Sequence, residues 1–460
     1  MRLVELSAKA LRVSRAKTAK LLRYVTHPGG LRLLIKVRGL SLLAMAKRGL
    51  NPRVTYIGVT GSCGKTTTAK LISTVLARAG ECQSNIDQNG VLSVARGVLA
   101  IRRSTKYSVH EICGARPGKI RTQTRVLRPQ IGVITTVGSD HYRKYRSLEA
   151  TAKEKGILAE VVPSDGTVIL NADDPRVGAM AARCRGRVVT YGLSPDADIR
   201  GTQVSSAWPD RLALTVVHGD QSVRVTSKLV GAHWTTSILA AVACGVVCGL
   251  SLKACADAIA DCEPFFSRYS VHQVAGGPVY VADYKAVDWT IASALAFIGA
   301  ARAARKTIVL GTISDYPGSA GKQYRRVARE ALTVADRVVF VGPQSAHVAK
   351  LREGEVRERL LAFQTTYEAA EFIGRQSLPG ELILLKGSPF TDHLERIILA
   401  QIDRVVCWKQ GCGRTTSCQA CNDYHKPSPP PLALCHNVKH GDAARGGRTE
   451  GATPPNALVD

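Results

Sequence analysis

The stretch "YIGVTGSCGKTTTAKLI", from Tyr56 to Ile72, restricts the fold of this chain more than any other. An apolar run of strand type enters a glycine turn, and the turn opens a helix. That order aims several backbone N–H groups and the positive end of a helix dipole at one point, the arrangement that holds phosphate. Lys65 adds a mobile positive charge, and the hydroxyl of Thr66 is placed to ligate Mg²⁺. The strict Walker spacing is not met, because Val59 stands where its first glycine would be. Present instead is Thr60-Gly61-Ser62-Cys63-Gly64-Lys65-Thr66-Thr67. Nucleotide phosphate binding is the expectation for this turn.

The rest of the chain gives the turn an α/β setting. From Val54 to about Phe265 short β-rich runs ("VTYIGVT", "YSVHEIC", "IGVITTV", "GTVILNA") alternate with helical ones after Gly64, around Arg121 and around Glu149. Such alternation predicts a parallel sheet covered by helices. Residues 198–230 read as a short antiparallel insertion, and "HWTTSILAAVACGVVCGLSLKACADAIAD" as buried helix. A second α/β unit has strands "VYVADY", "KTIVLGT", "RVVFVG" and "ELILLKG". The expected organisation is an arm at 1–53, a nucleotide-binding domain at 54–265, an α/β domain at 266–405, a cysteine-rich segment at 406–426 and a disordered tail at 427–460.

Charge is large and uneven. The formal net charge is +27, and residues 1–53 carry thirteen Lys or Arg against the single acid Glu5. The arm reads as two amphipathic helices joined at Pro28-Gly29-Gly30. They either pack on the body or lie on a membrane surface, packing being favoured for want of bulky aromatics. A basic arm favours an acidic partner, or else only aids solubility. No run of eighteen apolar residues is present, so no membrane span is expected. Eight cysteines are scattered singly through the first 262 residues, which suits buried reduced thiols in a cytoplasmic protein.

With its TGxxGKTT turn, the chain resembles the Mur ligase family of ATP-dependent amide ligases over most of residues 54–400, and further motifs follow in family order. Glu111, ending "YSVHEIC", resembles the family's metal-binding glutamate. Asp140-His141 resembles its "DH", whose histidine ligates a second Mg²⁺. "AKEKGILAE" resembles the segment bearing a carbamylated lysine, with Lys155 the choice and Lys153 the reserve. "ILNADDP", with Asn171 and Asp174, resembles a nucleotide-contacting loop. "LVGAHWTTSILAA" resembles the "GxHNxxNALAA" helix and keeps His233, Arg268 corresponds to the arginine at the entry of the C-terminal domain, and "LKGSPFTDHLE", with Lys386, Gly387 and Ser388, looks like the "KGS" loop of the D-alanyl-D-alanine-adding branch.

The resemblance implies a central P-loop-type domain, a C-terminal Rossmann-like domain, ATP, two Mg²⁺ ions and amide-bond formation through an acyl phosphate. In it Lys65, His141, Lys155, Lys386 and Ser388 serve the chemistry. Thr66 and Glu111 hold one metal, His141 and carbamylated Lys155 the other. A carbamate turns a cation into an anionic oxygen ligand, which explains a lysine where a metal needs a carboxylate.

The chain also departs from the family. About fifty residues precede the turn where the muramoyl ligases carry a full UDP-sugar domain, so the expected substrate is a carboxylate other than UDP-muramoyl peptide. Trp234 and Ser237 replace two adenine-side asparagines, Trp234 either stacking on adenine or filling core. "ADYKAVD" replaces "DxYNANP", keeping Asp283 and Tyr284. The family has no fixed counterpart to "CWKQGCGRTTSCQACNDYH", in which Cys407, Cys412, Cys418 and Cys421 fall within fifteen residues and His425 follows. That array is read as a structural Zn²⁺ site, with a redox CxxC or unpaired thiols as alternatives.

The reading is an ATP-dependent carboxylate–amine ligase taking an acidic acid substrate and an amine. Its rivals are a cell-wall ligase on a lipid-linked or polymeric acceptor, with the arm at the membrane, and a non-catalytic adaptor binding nucleic acid or protein. Nucleic acid is not expected as a partner of the ligase.

Overall fold

The structure, a computed structural model, describes residues 30–428 apart from Asn89 and Thr415. Two sheets organise it. The first runs β2-β3-β1-β4-β5-β6-β7-β8-β9. Its strands are β1 (Thr55–Thr60), β2 (Cys82–Asn85), β3 (Tyr107–Glu111), β4 (Ile131–Ile134), β5 (Thr167–Asn171), β6 (Arg187–Gly192), β7 (Ile199–Ser205), β8 (Ala213–His218) and β9 (Gln221–Thr226). Strand β1 lies between β3 and β4, parallel to both, and is buried along nearly its whole length. Its apolar run therefore has helices to pack against on both faces. The helix Lys65–Leu76 and the largely apolar helix Thr235–Val247 cover one side, tied by a 2.9 Å bond from Thr68 Oγ1 to Ser237 Oγ.

Residues 198–230 are not a separate insertion. Strand β7 joins β6 in parallel at Tyr191 and Gly192, then pairs antiparallel with β8, and β8 with β9. Leu212, Leu214, Val216 and Val225 are buried in the same core as β1, so one sheet continues across the change of direction.

The second sheet runs β10-β11-β15-β12-β13-β14. Its strands are β10 (Arg268–Gln273), β11 (Val279–Asp283), β12 (Lys306–Leu310), β13 (Arg337–Val341), β14 (Leu360–Phe363) and β15 (Leu382–Lys386). Only β10 is antiparallel, at one edge. The polar or short strands β2, β10 and β14 sit at sheet edges, where one face and one row of backbone groups need no apolar cover.

Of the two expected arm helices, the second is the helix Gly30–Gly49, packed on the first domain through Leu40 and Ala44. It leaves Ile35 and Leu42 exposed, so packing accounts for part of its surface only. The first expected arm helix lies outside the described residues, as does nearly all of the expected disordered tail. Every cysteine among the described residues is a free thiol. No helix among them is long and apolar enough to cross a membrane.

Candidate functional site

The carboxyl ends of the parallel strands of the two sheets face one cavity of about 350 Å³, where ligands of open α/β sheets bind. Its floor is the turn after β1. Gly61 has φ +152°, and a Cβ there would lie 1.8 Å from Thr135 Oγ1, so only glycine lets the turn pass that close. Gly64, in the left-handed region at φ +77°, caps the helix Lys65–Leu76 without a side-chain bond, leaving the helix N-terminus open to a ligand. Thr135 Oγ1 donates to Cys63 O at 2.6 Å, and Ser62 Oγ accepts from Gly138 N at 2.8 Å; both bonds hold the turn in shape. Thr67 Oγ1 is buried with no partner. An open N-terminus, a glycine-shaped cradle and an orphaned hydroxyl fit a phosphate chain.

Lys65 is buried, with Nζ donating to Gly61 O at 2.9 Å. Burial works against its charge, but Asp140, Cys113 and Glu111 outweigh that and hold it above the usual lysine value. Thr66 Oγ1 donates to Glu111 Oε2 at 2.9 Å, an oxygen that also accepts from Asp87 N. A hydroxyl and a carboxylate at the mouth of the phosphate turn are hard oxygen donors and fit Mg²⁺.

Beside them lies a second cluster. Lys155, buried at the end of the helix Leu148–Lys155, places Nζ 2.9 Å from Gly61 O and 3.6 Å from Asp140 Oδ2. Burial, and next the charge of Lys65, push its pKa down to about 8. Asp140 Oδ1 is 3.6 Å from His141 Nε2. Burial works against the Asp140 charge too, but Lys65 and Lys155 hold its carboxyl below the usual range. Burial likewise lowers His141, which sits in the left-handed region at φ +55°. Ligand atoms of Asp140, His141 and Asp315 fall within 4.8 Å of one another. Asp315 comes from the loop after β12, so the second domain reaches this corner.

Opposite, Lys386 at the end of β15 pairs with Asp283 at the end of β11 and donates to Lys285 O at 3.0 Å. Arg268 lines the cavity with a 3.4 Å contact to Asp87. His233 also lines it; burial pushes its pKa down to about 3, so the ring is neutral. Its ring lies 4.3 Å from Tyr269 and 4.7 Å from Trp234. Trp234 is both core and wall, 4% exposed yet on the cavity surface.

Of the expected site residues, Thr60, Gly61, Lys155, Asn171, Asp174 and Ser388 are not on the cavity surface. Asn171 donates to Thr135 O at 2.9 Å, and Asp174 accepts from Val137 N at 2.7 Å, so both brace the loop 135–138 that forms a wall. Ser388 spends its N–H on Asp392 Oδ2 at 2.7 Å, and its Oγ accepts from Phe390 N. Residues that sequence reasoning passed over include Asp87, Tyr269, Trp289 and Asp315. Trp289 packs so closely on Gly138 that a Cβ there would lie 2.4 Å from its ring. Lys285 and Val287, in the altered "ADYKAVD" loop, line the cavity. The four tail cysteines line a separate small cavity together with His393, whereas His425 meets Tyr424 edge-on and is not part of the lining.

Comparison with known proteins agrees with this architecture. The family description "Mur ligase middle domain" matches residues 59–245, and "Mur ligase, glutamate ligase domain" matches residues 267–389. A UDP-N-acetylmuramoyl-tripeptide–D-alanyl-D-alanine ligase of Mycobacterium tuberculosis is 31% identical over 359 residues, 73% of this chain and 70% of that protein. Its counterpart in Mycobacterium bovis is 32% identical over 66% of this chain and 61% of its own length. The crystal structure of MurF from Acinetobacter baumannii superposes with TM-score 0.72 at 21% identity, covering 80% of this chain and 81% of that one. MurF ligase from Thermotoga maritima in complex with ADP gives 0.69 at 18% identity, over 80% and 82%. These comparisons give no support to the expectation of a substrate other than a muramoyl peptide. With a relative at 31% identity spanning 70% of its length, and with both sheets in place, the chain belongs to the Mur ligase family of ATP-dependent, amide-bond-forming ligases.

Proposed function

We propose that this chain joins a peptide-type carboxylate to the amine of an amino acid or short peptide, with ATP as the second substrate, and that its acid substrate is of the muramoyl-peptide class. The observation that carries the reading is the facing of Lys65 and Thr66–Glu111 on one sheet by Lys386–Asp283 on the other across a single cavity.

Carboxylate and amine do not condense unaided in water, so the carboxylate oxygen first attacks the γ-phosphorus of ATP. The bond to the β–γ bridging oxygen breaks, and an acyl phosphate and ADP form. Attack by the neutral amine then makes the C–N bond and releases inorganic phosphate, the amine's proton passing to phosphate or solvent. The first step brings two anions together. Lys65, held charged by its acidic neighbours, lowers that repulsion. Mg²⁺, when bound, supplies further charge neutralisation at the phosphates and at the reacting carboxylate. In this reading Thr66 and Glu111 hold one ion. His141 and Lys155 hold a second, with Lys155 carbamylated and Asp140 beside both.

A lysine pKa near 8 leaves enough free amine to react with CO₂, which an ordinary lysine would not at neutral pH. Arg268 and the His233–Trp234–Tyr269 aromatic cluster form the nucleotide side. Asn171 and Asp174 act at one remove, by holding loop 135–138. Asp283 and Lys285 O aim Lys386 at the transferred phosphoryl group. ATP use and free thiols support a cytoplasmic location.

A second reading, a lipid-linked acceptor met at a membrane surface, draws on the helix Gly30–Gly49. There Ile35 and Leu42, a heptad apart on one face, are exposed in a segment that also carries Arg32, Lys36 and Arg38. ADP release with Mg²⁺, across pairs of muramoyl peptides and amines and with Lys65→Ala as the blank, tests the main reading. Turnover only when acid and amine are both present supports it. Tight ATP binding without turnover on any pair favours the adaptor. Activity only with acceptor in anionic vesicles favours the membrane reading.

A further inference from the structure

We propose that Cys407, Cys412, Cys418 and Cys421 bind one structural Zn²⁺ as four thiolates, and that this site straps residues 406–428 across the loop that follows Lys386. The four cysteines line one cavity of about 40 Å³, the size of a single ion or a water or two. Four cysteines drawn from within fifteen residues line it together.

The walls are built for negative charge. Arg396 is 2% exposed, and its Nε donates to Cys418 Sγ at 3.3 Å. Lys409 and Arg414 also line the cavity, Arg414 paired with Asp423 on the same wall, so a four-thiolate zinc centre, net −2, meets three cations and one acid. His393, 1% exposed, lies 2.9 Å from Cys412 Sγ through Nε2 and 3.8 Å from Cys418 Sγ through Nδ1. The 2.9 Å separation is shorter than two ligands of one tetrahedral ion would stand apart, and it suits an N–H donor to a bound thiolate. His393 therefore orients a ligand. Glu395 fixes the backbone of the array by accepting from Cys418 N at 3.1 Å.

The same segment is tied to the loop after β15. Gly411 N donates to Thr391 O and Gly413 N to Phe390 O, both at 3.2 Å, and Arg396 Nη1 donates to Lys409 O at 2.8 Å. A metal that fixes the cysteines thus also fixes residues 390–396, directly behind the Lys386–Ser388 turn.

The test uses the whole chain, purified without chelator. Elemental analysis is expected to give about one zinc per chain, and cobalt exchange to give the thiolate charge-transfer and tetrahedral d–d bands of a four-sulfur site. Cys412→Ser with Cys418→Ser should lose the metal, while His393→Ala should keep the metal and a four-sulfur spectrum. Because the cysteine variant could misfold, the wild-type protein carries the decision. If it holds no zinc and takes up no cobalt, the site is overturned. Loss of metal in His393→Ala overturns the four-thiolate assignment. Zinc removal should raise hydrogen exchange in 388–396 and leave 60–68 unchanged; unchanged exchange in 388–396 overturns the strap.

Discussion

The two parallel sheets end in turns built from similar parts and put to opposite uses. After β1, the turn 60–67 presents N–H groups and a helix N-terminus with no side chain of the protein capping them. At the ends of β12 and β15 the corresponding donors are already taken. Asp392 is buried, and its Oδ2 accepts from Thr312 N at 2.6 Å and Ser388 N at 2.7 Å, while Oδ1 accepts from Thr312 Oγ1 at 2.6 Å. A Cβ on Gly311 would lie 2.1 Å from that carboxylate, and one on Gly387 2.7 Å. An internal anion therefore fills in the second sheet the place that the first keeps free for an external one. Phosphate binding depends on which turn the chain has left unsatisfied, more than on the sheet architecture that both share.

The largest effect that would sharpen this contrast is Lys65→Ala. It should cut ATP-dependent turnover by about a thousandfold, the scale of losing a principal charge in phosphoryl transfer. Its melting temperature should stay near that of the parent, because Lys65 is a charge kept in place for a ligand. Equal losses of activity and stability would break the comparison. Asp392→Ala should do the reverse. Unpairing several buried N–H donors costs about 3 kcal/mol, seen as an earlier unfolding transition in denaturant, with ATP affinity at the first turn retained.

Lys155 gives a smaller, pH-dependent signal. Carbamylation needs the neutral amine, which at pH 7 is about a tenth of the population for a group titrating near 8. Activity in bicarbonate buffer should therefore rise up to about tenfold between pH 7 and 9. Lys155→Ala should abolish that rise, and short carboxylic acids should partly restore its rate. The sign for stability is the same. The folded value lies below that of the unfolded chain, so the unfolded state holds the extra proton between about 8 and 10.5, and stability rises across that window. Ser388→Ala should matter least. Its side chain does not line the cavity, so turnover should stay within about twofold of the parent. A larger drop would show that the Lys386–Ser388 loop moves in the working enzyme.

Legibility of the site followed how its residues lie along the chain. The phosphate turn could be read because strand, glycines, lysine and hydroxyls are contiguous and their chemistry is local. Glu111, His141 and Lys155 needed the family resemblance, since nothing within a few residues of each marks it as a ligand. Asp87, Tyr269, Trp289 and Asp315 carried no signal: Asp87 reaches Glu111 through the pairing of β2 with β3, and the other three approach the turn only when the two sheets face each other. The fold shows the same division. The buried central strands stood out as apolar runs. Edge strands β2 and β14 did not, since an edge can carry "CQSN" without penalty. The continuation through β7–β9 looked like an insertion because a local pattern does not reveal which sheet a hairpin joins.

By itself the sequence determined the α/β alternation, the phosphate turn and the cysteine array, each set by periodicity, glycine conformation or ligand spacing within a short stretch of chain. Tertiary structure alone decided that Asn171 and Asp174 brace a loop, that Asp392 seals the second set of strand ends, and that His393 faces the cysteines where His425 does not. Those outcomes depend on distances between segments that are remote in sequence, and such distances exist only once helices and sheets have packed.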